Sequence, residues 1–250
     1  MKVERWWGTL CAVAALNITV WVATARWGSA HPDSVQIFLS GAYMFGCAFR
    51  SVFPVYDIPR LCVVCPRVSS VLVGRSVATV AEIAFAAQWA VYLHGSSLEM
   101  VRAVSLTLVP LICIAEICSW HAVLTTRNLG HVFENALWGI SAALVTAGLA
   151  AIAVHHSGGR SPMFFVWAAC GLLYVAYMFV VDVPMYWSRW RSDQARGRPY
   201  LSIAVGLGEL ARPSRKSRLW QHWKSEVIWM TLYFSVGVWV SISLMVADAK

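Results

Sequence analysis

The sequence predicts an all-α fold, a polytopic integral membrane protein built as a bundle of seven transmembrane helices. Of its 250 residues, 59% are hydrophobic and only 13% are charged, whereas soluble domains carry about 25% charged residues. Seven apolar stretches are long enough to cross a hydrocarbon layer of about 30 Å. The Lys and Arg residues fall mainly on one side of these stretches, as they do in membrane proteins.

Each predicted span is a run of roughly 20 mostly apolar residues, the length that an α-helix needs to cross a bilayer. The first is expected to stay in the protein, because no clear small-residue cleavage site follows it. The motifs of the third and fourth spans do not recur later, so no internal repeat is expected. The seven predicted spans are 7–25, 34–53, 70–93, 101–124, 132–154, 163–187 and 226–247.

The orientation of the bundle follows from its basic residues. Sixteen of the twenty Lys and Arg residues lie on the N-terminal side, nine of them in the segment 188–225. Because cytoplasmic loops are enriched in Lys and Arg, we predict a cytoplasmic N-terminus and an outer C-terminus. The predicted organisation is a single domain over residues 1–250 with 188–225 as its basic cytoplasmic loop. The expected location is the bacterial inner membrane or an equivalent cytoplasm-facing membrane.

The net charge of +8 is explained by these loops, which face anionic lipid headgroups. We therefore expect membrane lipids as partners and no nucleic acid. Within the basic loop, Tyr200–Leu210 is apolar and is expected to lie at the membrane interface. The stretch Arg218–Lys224 is typical of an interfacial helix that leads into the last span.

Ionisable residues collect near the predicted cytoplasmic ends of the spans. An acidic side chain in hydrocarbon costs about 2.5–3.5 kcal/mol on insertion scales, so it usually faces a partner, water or a substrate. Glu82 lies roughly 15 Å inside the third span, and Glu116 lies about two turns from the end of the fourth. We expect five residues to line one cavity and to be the catalytic residues: Glu82, Glu116, Arg75, Asp182 and Glu134.

Helical spacing places polar and aromatic residues on shared faces. Arg75 and Glu82 are seven residues apart, so both side chains lie on one face of the third span and can approach each other. His131 and Glu134 share a face of the fifth span in the same way. The residues expected to bind the substrate are Arg50, Asp57, Arg60, Trp120, Trp138, Tyr186, Trp229 and Tyr233.

A purely structural role remains open for several of these residues. Glu134, Asp182 and Glu226 lie close enough to span ends to be ordinary interfacial charges. Glu82 can serve as the partner of Arg75 in an ion pair that fixes helix packing, and Glu116 can hydrogen-bond a neighbouring helix. The aromatic residues within the spans can be core packing.

Two further patterns carry weak signals. His131-x-x-Glu134, with His121, offers ligand types for a metal ion, but helix-bundle di-iron sites use two Glu-x-x-His motifs. Cys62-Val-Val-Cys65 resembles the pair that vitamin K epoxide reductases carry at a span end, and only these four residues match. The predicted orientation places the pair on the reducing side, so we expect two free thiols.

The leading functional hypothesis is a membrane-embedded enzyme that acts on a lipophilic substrate, an isoprenoid or another lipid, by acid–base chemistry. Glu82 beside Arg75 is expected to stay ionised and to act as a base, and Glu116 to be protonated and to act as an acid. Isomerisation, cyclisation or hydrolysis would suit such a site. The alternatives are a proton-coupled transporter or channel, a metal-dependent membrane oxidoreductase, and a non-catalytic subunit of a membrane complex. No particular cofactor or oligomeric state is predicted.

Overall fold

The computed structural model describes residues 2–28, 33–64, 67–155 and 161–247. Cys65 of the Cys62-Val-Val-Cys65 motif lies outside the described residues. The chain is predominantly helical, as predicted. Its α-helices, in chain order, are α1 Lys2–Trp27, α2 Ser34–Val52, α3 Val71–His94, α4 Glu99–Thr125, α5 Leu129–His155, α6 Ser161–Tyr177, α7 Val183–Ala195, α8 Ile203–Leu210, α9 Trp220–Trp223, α10 Val227–Leu232 and α11 Val238–Val246.

Six helical segments of the described chain are long and apolar enough to cross a membrane, which supports a membrane protein. They match the first predicted span and the third to seventh. Their bounds are Lys2–Trp27, Val71–His94, Glu99–Thr125, Leu129–His155, Pro162–Ala195 and Val227–Val246.

The second predicted span is also helical, but it is the least apolar of the set. Helix α2 has 19 residues, and ten of them are buried. The buried residues include Gln36 and Arg50, whose polar groups make this helix less apolar than its neighbours. A helix enclosed by other helices can carry polar groups that a lipid-facing helix cannot.

Two of the apolar segments contain a π-helical turn. In the first, Met178–Asp182 joins α6 to α7 without a break. Pro184 follows within the first turn of α7, and its ring nitrogen cannot donate the usual backbone hydrogen bond, which accounts for the irregular turn. The helix continues to Ala195, so it extends past the predicted end of the sixth span at 187.

The second π-helical turn, Tyr233–Gly237, joins α10 to α11. A Cβ atom on Gly237 would lie only 2.5 Å from the hydroxyl oxygen of Tyr43. Glycine is therefore the residue that lets α2 and the last helical segment approach this closely.

A small three-stranded sheet joins the segment between α2 and α3 to the predicted basic loop 188–225. Strands β1 (Val55–Tyr56) and β2 (Leu61–Cys62) form an antiparallel hairpin, and β3 (Arg215–Lys216) pairs with β2 in parallel. The segment 188–225 is therefore not only a loop, because it also contains α8, β3 and α9. Two-residue strands are too short to produce a period-2 pattern, so the sequence carried no signal for them.

The chain forms two compact units. Unit 1 comprises Met1–Gln88 and Leu207–Ala247, and unit 2 comprises Trp89–Gly206 among the described residues. The core of unit 1 includes the fully buried side chains of Tyr43, Trp223 and Phe234. In unit 2, α5 packs against α4, α6 and α7.

A fully buried polar network connects three helices of unit 1. The side-chain amide of Gln88 donates to Gln36 Oε1 and to the Ser241 carbonyl, both at 3.1 Å. The Ser241 hydroxyl donates to Gln88 Oε1, and it lies 3.1 Å from the Ser40 hydroxyl. Because a buried polar group is costly without a partner, this network specifies how α2, α3 and α11 pack.

Replacing Gln88 with Leu should destabilise the protein. Gln36 and Ser241 would each lose a buried partner, which costs about 1–3 kcal/mol. Thermal unfolding in detergent should show a lower Tm for Gln88→Leu and an unchanged Tm for Gln221→Leu, in which the glutamine is exposed. An equal Tm for the two variants would contradict a structural role for the network.

Candidate functional site

In unit 1, Arg75 lies between two carboxylates. Its Nη2 atom donates to Glu82 Oε2 at 3.1 Å, and its Nη1 atom lies 4.0 Å from Asp57 Oδ2. The side chains of Arg75 and Glu82 are only 5% and 8% exposed, so the pair is shielded from water. The predicted approach of Arg75 to Glu82 along one face of α3 is confirmed.

Asp57 reaches Arg75 because the β1–β2 hairpin lies beside the start of α3. Asp57 follows strand β1 directly and is partly buried. Its second carboxylate oxygen, Oδ1, is buried without a hydrogen-bond partner among the described residues. The hairpin thus contributes negative charge to Arg75, but it leaves one acceptor unsatisfied.

Arg60, at the other end of the hairpin, is separate from this pair. Its Nη1 atom contacts Glu209 Oε2 at 3.4 Å. Burial lowers the pKa of the Arg60 guanidinium, and the neighbouring Glu209 carboxylate opposes that change. Glu209 also pairs with the exposed Arg212. These contacts indicate an ion-pair network at the surface of unit 1, so Arg60 has a structural partner.

Unit 1 also contains a cluster of aromatic side chains. The Tyr43 ring stacks on Phe85 at a centroid distance of 4.5 Å and meets the edge of Tyr233 at 5.6 Å. Tyr233 in turn contacts Phe234 and Trp229. Tyr233 and Trp229 were predicted, whereas Tyr43, Phe85 and Phe234 were missed because they read as ordinary core residues.

Arg50 is buried against this aromatic cluster. Its guanidinium lies 5.9 Å from the centroid of Trp229 and 5.8 Å from that of Phe234, within cation–π range. The indole N–H of Trp229 donates to Glu226 Oε2 at 2.7 Å. Glu226 is almost fully buried, so it is not a solvated interfacial charge. Arg50, Trp229 and Tyr233 therefore come together in unit 1.

In unit 2, His131 and Glu134 form a buried pair on α5. The distance between His131 Nδ1 and Glu134 Oε2 is 2.6 Å. The imidazole also contacts the ring of Tyr186, with centroids 5.0 Å apart. The guanidinium of Arg189 lies 4.9 Å from the centroid of that same tyrosine. The predicted residues His131, Glu134 and Tyr186 are thus neighbours.

The other predicted residues of unit 2 lie on three different helical elements. Glu116 is buried on α4, and Asp182 is buried in the π-helical turn before α7. Trp120 and Trp138 are partly buried, on α4 and α5. The prediction that the carboxylates of the whole chain line one cavity stays a prediction.

His121 does not join the His131–Glu134 pair. His121 is exposed on α4, whereas His131 and Glu134 are buried. These three side chains do not form a compact ligand set in the described part of the chain. Spacing along the sequence had grouped them, but the orientation of α4 turns His121 outward.

The expectation of a free thiol at Cys62 is wrong. Cys62 takes part in a disulfide bond, and it lies on strand β2, which β1 and β3 hold in place. Cys65 lies outside the described residues. The expectation rested on the predicted compartment, whereas a disulfide depends on how closely two sulfur atoms approach. The free cysteines of the described chain are Cys11, Cys47, Cys113, Cys118 and Cys170.

Comparisons with protein families, with curated proteins and with solved structures give no match to this chain. The function must therefore be argued from the chemistry of its own side chains. Two arrangements of the described residues that offer such chemistry are the Arg75–Glu82 pair in unit 1 and the His131–Glu134 pair in unit 2.

Breaking the Arg75–Glu82 pair should destabilise the protein. Removing one partner of a buried ion pair costs about 3–5 kcal/mol, because the remaining charge is left uncompensated. The loss of stability in Glu82→Gln should lie at the lower end of this range, because Asp57 stays near Arg75. The loss of stability in Arg75→Met should lie at the higher end. The free energy of unfolding in detergent checks both values.

The double variant Arg75→Met with Glu82→Gln should recover most of the stability that either single variant loses. Arg102→Met and Glu99→Gln, at exposed positions, are the matched controls and should change stability little. If the two single losses simply add in the double variant, the pair does not interact.

Proposed function

We propose that this protein is an integral-membrane enzyme that acts on a lipophilic substrate, an isoprenoid or another lipid, by acid–base chemistry. The observation that carries the proposal is the presence, among the described residues, of five carboxylates that are buried within or beside apolar helical segments, besides Asp193 near the end of α7, which pairs with Arg198. Each is at most 8% exposed: Glu82, Glu116, Glu134, Asp182 and Glu226.

The physical argument is the free-energy cost of burying these carboxylates. Apolar residues of similar volume are often as stabilising as a buried ion pair, or more so, so stability alone does not explain why charges are kept. Ionisable groups inside membrane helices usually serve substrate binding or proton transfer. Glu82, paired with Arg75, is suited to remain ionised and to accept a proton. Glu116 is the proposed acid.

The proposal includes seven membrane crossings, with α2 as the second. Its 19 residues span about 28 Å, and it packs against α1 and α11, which belong to segments long enough to cross. With seven crossings, the N-terminus and the basic segment 188–225 face the cytoplasm and the C-terminus faces outward. A cytoplasm-facing membrane such as the bacterial inner membrane is the proposed location.

Reporter fusions test this topology. A reporter placed at Lys250 should be active only outside, and one inserted between Arg196 and Tyr200 should be active only in the cytoplasm. The expectation follows from the excess of basic residues on the N-terminal side. Two reporters on the same side would mean that α2 does not cross the membrane.

A second candidate function is a proton-coupled transporter. The observation in its favour is the set of buried carboxylates, because Asp and Glu side chains within membrane helices form proton relays. In the proposed topology the buried network of Gln36, Gln88 and Ser241 adds polar groups in the outer half of the bundle. A proton flux across proteoliposomes would favour this candidate.

The enzyme proposal is tested by incubating purified protein with membrane lipid extracts and identifying consumed and formed species by mass spectrometry. Glu116→Gln should lower turnover by about 100-fold or more, the usual contribution of a general acid. The double variant Arg75→Met with Glu82→Gln should be stable yet inactive. Glu99→Gln, at an exposed position, should retain full turnover.

Recovery of both stability and turnover in the double variant would assign Glu82 to a structural ion pair alone. Proton flux through proteoliposomes without any lipid product would replace the enzyme with the transporter.

A further inference from the structure

The imidazole of His131 is held through one of its two nitrogens. Nδ1 lies 2.6 Å from Glu134 Oε2, a short distance typical of a charge-assisted hydrogen bond. With Glu134 ionised, its carboxylate can only accept, and Nδ1 is then the nitrogen that carries the proton. The other nitrogen, Nε2, then bears the lone pair of a neutral imidazole.

Nε2 is left available by the surrounding structure. Among the described residues it has no hydrogen-bond partner, and it is not one of the fully enclosed polar atoms of the chain. The ring as a whole is nonetheless buried. A buried imidazole with one nitrogen fixed by a carboxylate and the other unpaired is arranged to accept a proton.

Neighbouring residues restrict the imidazole further. The Tyr186 ring lies 5.0 Å from it and contacts one part of its surface. The backbone carbonyl of His131 also accepts from the Asn135 side chain at 2.8 Å. Arg189 places a positive charge 4.9 Å from the Tyr186 centroid, which favours a substrate that becomes negatively charged.

We propose that His131 is a further proton acceptor of the reaction, in addition to Glu82, that it acts through Nε2, and that Glu134 is its positioning residue. This inference rests on the proposed function and names the substrate class more closely. The substrate is a lipophilic molecule with a hydroxyl group, or with a C–H bond next to a carbonyl group. Loss of a proton from either leaves negative charge on an oxygen atom.

The proton transfer is balanced without an oxidant or reductant. The O–H or C–H bond of the substrate breaks, its electron pair stays on the substrate, and an N–H bond forms at Nε2. The resulting imidazolium is stabilised by the Glu134 carboxylate on the opposite nitrogen. Nε2 then returns the proton to the product or to water, which restores the neutral imidazole.

The first test needs no substrate. Full-length protein with ¹⁵N-labelled histidine is placed in lipid nanodiscs, and the His131 signals are identified by their loss in His131→Gln. The wild-type protein should show the tautomer with the proton on Nδ1. Glu134→Leu removes the acceptor and should shift His131 to the other tautomer, whereas Glu134→Gln retains an acceptor oxygen and should preserve it.

The second test measures turnover of the lipid identified by mass spectrometry. His131→Gln should lower kcat by about 100-fold or more, with little change in KM or Tm. His155→Gln, an exposed histidine on the same helix, is the matched control and should behave as wild type. Glu134→Leu should lower kcat, and Glu134→Gln should restore part of it.

A wild-type tautomer with the proton on Nε2 would overturn the inference, as would full kcat in His131→Gln. If His131→Gln is fully active while Glu116→Gln is inactive, the enzyme proposal stands and only this inference fails. If the wild-type protein turns over no lipid, both proposals fail together, whatever the tautomer.

Discussion

The structure depends on the cost of holding charge among apolar helices. A charged group can leave water only where another charge or a hydrogen-bonding group replaces its hydration. Arg75 satisfies this requirement with Glu82 at 3.1 Å and Asp57 at 4.0 Å, and Glu134 does so with the imidazole of His131 at 2.6 Å. The Arg75–Glu82 and His131–Glu134 contacts each lie within one helix, so they hold whichever way that helix is turned. Rotating α3 by one residue, about 100°, would instead carry Arg75 away from Asp57 on the β1–β2 hairpin, so the Asp57 contact ties the enclosed face of α3 to the hairpin.

The segments between the long helices also help to compensate buried charge. Asp57 contacts Arg75 because the β1–β2 hairpin is held by its pairing with β3. The carbonyl oxygen of Arg60 accepts from the Arg215 backbone, and that of Cys62 accepts from the Ser217 backbone, both at 2.9 Å. A segment of the long basic region therefore helps to determine the surroundings of a buried arginine in unit 1.

The two pairs differ in the chemistry that they permit. Arg75 donates to carboxylates and cannot lose its proton under ordinary conditions, so it is a fixed positive charge beside Glu82. An imidazole can carry a proton on either nitrogen or on both, so the His131–Glu134 pair is not restricted to one charge state. Aromatic contacts distinguish the two regions further, because Tyr186 packs on the imidazole itself, whereas the rings of Trp229 and Phe234 face Arg50.

The sequence alone determined the membrane class, six of the apolar helices and the Arg75–Glu82 contact, because hydropathy and helical spacing act locally along the chain. Helical spacing also placed His131 beside Glu134. Only the tertiary structure decided that Tyr186 packs on His131, that Asp57 joins Arg75, that Gln36 and Gln88 pair, and that His121 turns outward. These contacts join residues far apart in sequence or depend on the rotation of a helix about its axis. That rotation is set by packing between helices, which no local pattern encodes.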